Sequence, residues 1–372
     1  MSTQGGLRNA DRTFLALVGG VLLLGLVLLA SASGPTGFVK FHDTYYFLKH
    51  QIIFGLIPGL IGFFLASHIP YTTYRRFAGA MLVVSIALLI SVFIPGLGTD
   101  LGTFAQQWIV LGPLTLQPSE LVKLTFLFYI AAWMEKRTEH ELRDVHSGLI
   151  PFAIVLSVVI GLLLLEHDTG TLAVIVAMAL GVYFAAGAPL RYFALFGGGG
   201  AGLLALLVAF SPYRAARFMT FLHPELDPKG VGYHINQALL AVGSGGFLGR
   251  GYGHSLQKFQ YLPEVAGDSI FAVIAEELGF LLTTAFLVLY VGFLQRGFKI
   301  AASASDGFGR YLVAGVMSWI GAQAFINIGA MVGVLPITGV PLPLISYGGT
   351  ALAVTLTALG VVVNVSSHSK NV

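Results

Sequence analysis

The stretch FLALVGGVLLLGLVLLA, residues 14–30, carries no charged residue and no alternation of apolar and polar positions. Blocks of this kind recur along the chain at about 18 to 25 residues each, the length an α-helix needs to cross roughly 30 Å of hydrocarbon. A transmembrane β-barrel would instead show short segments of period two, so it is excluded. Because many similar blocks follow, residues 14–30 read as a retained first span and not as a cleaved signal. The composition agrees: of 372 residues, 56% are hydrophobic and only 10% charged, far from the balance of a soluble globular domain. The expected fold class is an all-α integral membrane protein, one polytopic domain over residues 1–372. Cysteine is absent, which removes disulfides and thiolate chemistry. A formal net charge of +3 is too small to argue for nucleic acid.

Apolar blocks between polar or Gly/Pro interruptions predict ten spans, near residues 13–33, 49–67, 76–95, 119–135, 148–165, 169–187, 190–211, 269–295, 309–332 and 343–366. Lys and Arg of short connections are retained in the cytoplasm. Arg8, Arg12, Arg75, Arg76, Lys136, Arg137, Arg143, Arg191, Arg296, Lys299, Arg310 and Lys370 all fall on one side, while the short opposite loops carry only Lys40 and Lys49. Both termini are thereby expected in the cytoplasm. The large extracytoplasmic loop over residues 211–268 departs from the bias, with Arg214, Arg217, Lys229, Arg250 and Lys258 on the outer side. Long loops translocate whatever their charge; the other reading is an anionic ligand held at the outer face. Within this loop YHINQALLAV, residues 233–242, sets Ile235, Ala238, Leu239 and Val242 at helical spacing, as an interfacial amphipathic helix would. The GSGGFLGRGYG that follows lacks the strand-to-helix context of a dinucleotide fingerprint and reads as turns, with a phosphate-cradling nest as the alternative. The glycines at 197–200, with Gly202, predict close helix packing through small residues.

An ionisable group at bilayer depth costs about 2.5 to 3.5 kcal/mol, so each calls for a partner or a task. In QPSELVK, residues 117–123, Glu120 and Lys123 stand three apart on one helix face and can pair. Alternatively, Lys123 faces a polar cavity and meets a phosphate or a carboxylate from another span. In EHDTGT, residues 166–171, Asp168 is placed to cap the following helix, a reading preferred to catalysis there. No HExxH or paired-ligand spacing for a metal occurs in the chain. In YLPEVAGDSIFAVIAEELGF, residues 261–280, Asp268 stands at a helix start, and positions 268, 272 and 276 share a stripe that puts Glu276 about two turns below it. Capping would explain Asp268 too, but a partly desolvated carboxylate beneath a basic loop is also where a pKa is tuned for acid–base work. Glu277 is expected to be buried against a cation that the sequence does not identify.

Four segments resemble the SEDS family (shape, elongation, division and sporulation), which includes FtsW, RodA and SpoVE, and the likeness extends over essentially the whole chain. They are WIVLGPLTLQPSELVK (108–123), HDTGT (167–171), GYHINQALLAVGSGGFLGRGYGHSLQKFQYLPEVAGDSIFAVIAEELG (232–279) and NIGAMVGVLPITGVPLPLISYGGTA (327–351). The wording GHSLQK and YLPE is nearer the FtsW and SpoVE branch than RodA. The resemblance implies a peptidoglycan glycosyltransferase of the bacterial cytoplasmic membrane. Such an enzyme polymerises lipid II at the outer face, in cell division or cell shape, and releases undecaprenyl pyrophosphate. It implies a class B penicillin-binding protein as transpeptidase partner, other divisome proteins, undecaprenyl-linked glycan as product, and help from Mg²⁺ or Mn²⁺. The family's essential aspartate follows LPE, which is Asp268 here, with the expected role of catalytic base. Glu120, Lys123 and Asp168 are carried over from their motifs. Lys123, Arg214, Arg217, Lys229 and Lys258 are the candidate cations for the departing pyrophosphate, and Gln237, Glu264 and Ser346 complete the expected substrate-binding set.

The chain departs from the family at two places. Around the acid the family commonly reads HTDF where this chain reads AGDS, so no histidine precedes Asp268 along the sequence, and Gln106 and Gln107 replace a basic pair. Two other classes stay open: a transporter that flips lipid II, with Glu120, Lys123, Glu276 and Glu277 along a polar path, and a non-catalytic septal scaffold.

Overall fold

The computed structural model describes residues 10–99, 107–111, 114–210, 212–227 and 229–369. Helix α1 (Arg12–Phe41) contains the opening apolar block. Asp11 caps it, its carboxylate accepting from the Phe14 N–H at 2.9 Å and from Arg296 Nε at 2.7 Å. There follow α2 (Tyr46–His68), α3 (Ala78–Ser91) and a small antiparallel sheet of β1 (Gly98–Thr99), β2 (Trp108–Leu111) and β3 (Leu114–Leu116). Then come α4 (Pro118–Glu135), α5 (Val145–Leu165), α6 (Thr169–Ala185) and α7 (Leu190–Phe210). The long loop holds α8 (Pro212–Leu222) and α9 (Val231–Ser244), and α10 (Ile270–Ser303), α11 (Gly307–Met331) and α12 (Gly349–Ser367) complete the chain.

Seven helices among the described residues, α1, α2, α5, α7, α10, α11 and α12, are long and apolar enough to cross a membrane. The other three expected blocks are also helical. α3 and α6 are apolar but shorter, and α4 bears Glu120 and Lys123 near its start. Leu23, Val27, Ile61, Phe64, Ile154, Val158, Val288 and Val291 point outward from α1, α2, α5 and α10, a surface suited to lipid and not to water. The chain is a multi-pass membrane protein.

Burial sorts the helices into a centre and a rim. The apolar windows of α11 and α12 are 67% and 72% buried, whereas that of α7 is 0% buried. α6 packs on α11 through Val174, Ile175, Met178 and Val182. α12 lies against α2 along small residues: a Cβ at Gly59 would stand 2.7 Å from Leu356 and one at Gly62 2.1 Å from Thr357. Small side chains let two backbones approach where lipid gives no hydrophobic drive. The glycines expected to do this, Gly197–Gly200 and Gly202, instead have nothing within 4 Å of where a Cβ would be. The expected close packing is thus not made by any element among the described residues.

In the loop, α9 buries Ile235, Ala238 and Ala241 and leaves Leu239 exposed. This shifts the expected apolar face, because the helix lies on protein and not only on an interface. Gly245 at its end approaches the Ala275 carbonyl so closely that a Cβ would stand 2.2 Å from it.

The eighth expected span is not one continuous rod. At Gly279 the backbone takes φ 67°, ψ −177°, breaking α10 after a fully buried half-helix. The broken ladder is refilled by the glycine-rich turns: Arg250 and Gly251 donate N–H to the carbonyls of Glu276 and Glu277, and the Phe280 and Leu281 N–H groups donate to Gly246 and Phe247. A Cβ on Gly279 would lie 2.0 Å from the Gly249 nitrogen, so this crossing requires glycine for both its left-handed φ and its contact.

Side chains at the break resolve two of the acids. Glu277 meets Lys258 Nζ at 2.7 Å, and Ser31 of α1 donates to both carboxylate oxygens at 2.8 and 2.7 Å. Lys258, expected among the cations for an anionic ligand, is therefore buried and committed to Glu277, the acid whose partner the sequence left unnamed. Glu276 does not reach toward Asp268 along the expected stripe. It accepts from Ser255 Oγ at 2.6 Å and from the Leu256 and Gln257 N–H groups at 3.0 and 3.3 Å, with Arg250 Nε at 3.2 Å.

The α5–α6 corner carries the remaining acids. Asp168 is the N-cap of α6, accepting from the Thr171 N–H at 2.9 Å, as its position predicted. Glu166 is fully buried, and among the described residues neither of its carboxylate oxygens has a hydrogen-bond partner. Burial, with the Asp168 charge adding to it, pushes its carboxyl up to about 8.

Two stability outcomes follow from these charges. Lys258→Met leaves Glu277 buried without its cation and should cost about 3 to 5 kcal/mol, read as a fall in unfolding temperature. Adding Glu277→Gln should recover most of the loss, and equal loss in single and double variants would show that the pair does not lock the loop. Glu166 holds in the folded state a proton that the unfolded chain releases in the ordinary glutamate range. The stability tied to that proton is complete below that range and is lost as pH rises toward about 8. Glu166→Gln should match the wild type in unfolding temperature near pH 5 and exceed it near pH 8; a wild-type advantage at the higher pH would contradict this.

Candidate active site

The turns after Lys258 lead to Asp268, immediately before the buried half of α10. Gly267 and Ser269 both donate N–H to the Glu264 carbonyl, at 2.9 and 3.2 Å, and the Tyr347 N–H donates to the Ala266 carbonyl at 2.8 Å. Asn327 of α11 donates to the Asp268 carbonyl at 2.7 Å and to the Val340 carbonyl at 2.8 Å, so one side chain pins two loops together. Between them lies a narrow cleft lined by Asp268, Asn327, Ala330, Met331 and residues 337–340.

The helix-capping explanation of Asp268 is not what the structure shows. The N-cap position of α10 is Ser269, the helix begins at Ile270, and no side-chain cap bond is made there. The Asp268 carboxylate lies in the wall of the cleft. Burial, and then the charge of Glu264, raise its pKa to about 7, the range in which a carboxylate serves as a general base near neutrality. Its side-chain partner is the Ser269 hydroxyl, which donates to Oδ1 at 3.4 Å. Ser269 in turn is bonded to His234 Nε2 of α9 at 2.6 Å.

One turn before Asn327 on α11, a second polar group holds the same loop. Gln323 donates to the Pro341 carbonyl at 2.9 Å, and its Oε1 accepts from Lys123 Nζ at 2.9 Å and from Trp319 Nε1 at 2.7 Å. Lys123 also meets Glu120 at 2.8 Å and lies over the Trp319 ring, 4.6 Å from its centroid. The expected pairing within α4 is present, and Lys123 reaches another span as well. Asp168 joins this region through Ser119 Oγ at 3.2 Å and Gln117 Nε2 at 3.4 Å.

The remaining candidates divide. Ser346 Oγ accepts from the Leu342 N–H at 2.8 Å and closes a turn. Glu264 is exposed, in the left-handed region at φ 48°; Gln237 is half-buried on α9, and Lys229 is exposed before it. The side chains of Arg214 and Arg217, and all of Gln106, lie outside the described residues. Among the described residues no three His, Cys, Asp or Glu side chains group as a metal site. The cleft's own residues thus do not fit a resident Mg²⁺ or Mn²⁺.

The sequence reading missed Gln323, Trp319, Ser269 and His234. The first two were legible: Trp319, Gln323 and Asn327 recur every four residues in an apolar helix, which puts their polar atoms on one face. His234 carried no comparable signal, being 35 residues from Ser269.

Similarity to known proteins places this geometry. The chain is 39% identical over 352 residues to the probable peptidoglycan glycosyltransferase FtsW of Geobacter sp. (strain M18), covering 93% of this chain and 94% of that one. It is 38% identical over 351 residues to the stage V sporulation protein E of Bacillus subtilis (strain 168), covering 94% and 95%. The rod shape determining protein RodA of Thermus thermophilus superposes with a TM-score of 0.70 at 29% identity over 96% of both chains. A chain from a peptidoglycan synthase complex that coordinates polymerization and crosslinking superposes at 0.79, with 30% identity over 96% of this chain and 97% of that one. With the cell cycle protein family model matching residues 11–371, the chain belongs to the family of FtsW, RodA and SpoVE.

Proposed function

We propose that this protein is a peptidoglycan glycosyltransferase that polymerises lipid II, with Asp268 as its general base. The observation that carries the assignment is the position of Asp268: a carboxylate in the wall of a cleft, not used as a cap, and raised to about 7. The reaction joins the sugar hydroxyl of one lipid-linked chain to the anomeric carbon of another, inverting α to β and displacing undecaprenyl pyrophosphate. Asp268 takes the hydroxyl proton as the new C–O bond forms, a role worth about 10² to 10⁴ in rate. Negative charge grows on the leaving diphosphate, which Arg214, Arg217 or Lys229 stabilises; Lys123, buried and committed to Glu120 and Gln323, is not among them. A divalent cation belongs with the diphosphate of the donor, since Mg²⁺ is commonly held by substrate phosphates and few protein groups.

The charge bias of the connections supports placing the cleft at the outer face of the bacterial inner membrane, with both termini in the cytoplasm. A class B penicillin-binding protein is the crosslinking partner, a reading supported by likeness to a chain of a synthase that couples polymerization to crosslinking. A transporter reading draws less support, because Glu120, Glu276 and Glu277 are each held by a specific cation in place of lining an open path.

Polymerisation of purified lipid II, with the partner's transpeptidase inactivated, tests the assignment. Asp268→Asn should abolish glycan formation and leave the unfolding temperature unchanged, since Asn is similar in shape but accepts no proton. The wild-type rate should fall by at least about tenfold per pH unit on the acid side of pH 7, where Asp268 becomes protonated. Glycan formation by the Asn variant at the wild-type rate would refute the role.

A further inference from the structure

Ser269 occupies the N-cap position of α10, where a serine side chain is among the best caps and is worth about 1 kcal/mol. Yet its hydroxyl makes no cap bond. It is fully buried and turned to two other groups: His234 Nε2 at 2.6 Å and Asp268 Oδ1 at 3.4 Å. A local rule set aside inside a functional site points to another use of the side chain. The imidazole comes from α9, whose buried face of Ile235, Ala238 and Ala241 packs it down on the half-helix. The histidine missing before Asp268 in the sequence is thus supplied through space, with one hydroxyl between.

We propose that His234 and Ser269 form a proton relay that returns Asp268 to its ionised form after each glycosyl transfer. The inference rests on Asp268 being the base. During transfer the acceptor O–H bond breaks, the oxygen bonds to the anomeric carbon, and the bonding pair of the old C–O bond leaves with the diphosphate. The proton is then on the Asp268 carboxyl. It passes to Ser269 Oγ as the serine's own proton passes to His234 Nε2, leaving a carboxylate, a hydroxyl and an imidazolium. The half-buried imidazolium releases the proton to water.

Imidazole is the side chain most often used to shuttle protons in proteins. Glu264 acts on Asp268 from the turn before it, and Asp227 and the exposed Lys229 stand on the turn leading into α9. Without the relay, Asp268 would depend on the cleft itself for its proton exit, and that cleft is filled by substrate during reaction.

The test uses the full-length protein in lipid nanodiscs with purified lipid II, following kcat and KM from about pH 5.5 to 8.5, with unfolding temperatures alongside. The wild type needs both Asp268 and His234 unprotonated, so log kcat should fall with a slope approaching about two on the acid side. His234→Gln keeps an amide near Ser269 but accepts no proton. It should lower kcat at neutral pH by about tenfold or more, leave KM unchanged and reduce the slope to about one. Ser269→Ala should do the same and, losing side-chain hydrogen bonds but no helix cap, should stay folded. If the glutamine variant unfolds, the alanine variant decides alone. A wild-type kcat and slope in Ser269→Ala, or in a folded His234→Gln, would overturn the relay. Asp268→Asn in the same series separates the two ideas: inactive with the relay variants unaffected, the relay alone fails; still active, the base assignment itself fails.

Discussion

A membrane-embedded chain cannot leave backbone N–H and C=O groups unpaired, and this protein breaks a helix at Gly279 all the same. The rest of the site follows from how that break is repaired. Four backbone bonds from the turns at residues 246–251 refill the ladder. The two carboxylates beside the break then fasten the following turns, Glu276 through Ser255 and Arg250, Glu277 through Lys258 and Ser31. The loop is thereby fixed to both α10 and α1 before it reaches Asp268. Acids that look costly in an apolar run are thus the fasteners of an irregular segment, each fully hydrogen-bonded, which is the condition under which buried charge is tolerated.

A second set of ties approaches the same point from the most buried helices. Trp319, Gln323 and Asn327 present one polar edge of α11, and their amides grip the loop carbonyls at Pro341, Val340 and Asp268. Lys123 and Glu120 anchor that edge to α4. Asp268 therefore stands where two independently braced loops meet, and holding a reacting group in place through locked neighbours is what preorganisation requires.

The helices were legible because lipid makes the requirement for them simple: an uninterrupted apolar block of sufficient length has to be a helix. Helix ends near caps were legible for the same local reasons, as at Asp168. The break in α10 was not, because the residues immediately around it, LGFLL, are as apolar as any span and only the approach of Gly249 demands the kink. Local pattern likewise found the pairing of Glu120 with Lys123 but not that of Glu277 with Lys258, whose members are 19 residues apart on different elements. The basic loop illustrates the limit of counting charge: Lys258 and Arg250 contribute to it in sequence, yet both are spent on acids of α10.

The cleft beside Asp268 is too narrow to take a water molecule, far short of the roughly 300 to 1,000 Å³ of pockets that bury a small molecule. Lipid-linked sugars therefore require its walls to part, and both walls are tied by hydrogen bonds. Residues 340 and 341 are held by amides of α11. The facing turn is held by the Asn327 amide on the Asp268 carbonyl and by the Ser269 hydroxyl on the Asp268 side chain. Ser269 is in turn bonded to His234 of α9, so a turn that yields to admit substrate also moves the link between the imidazole and Asp268.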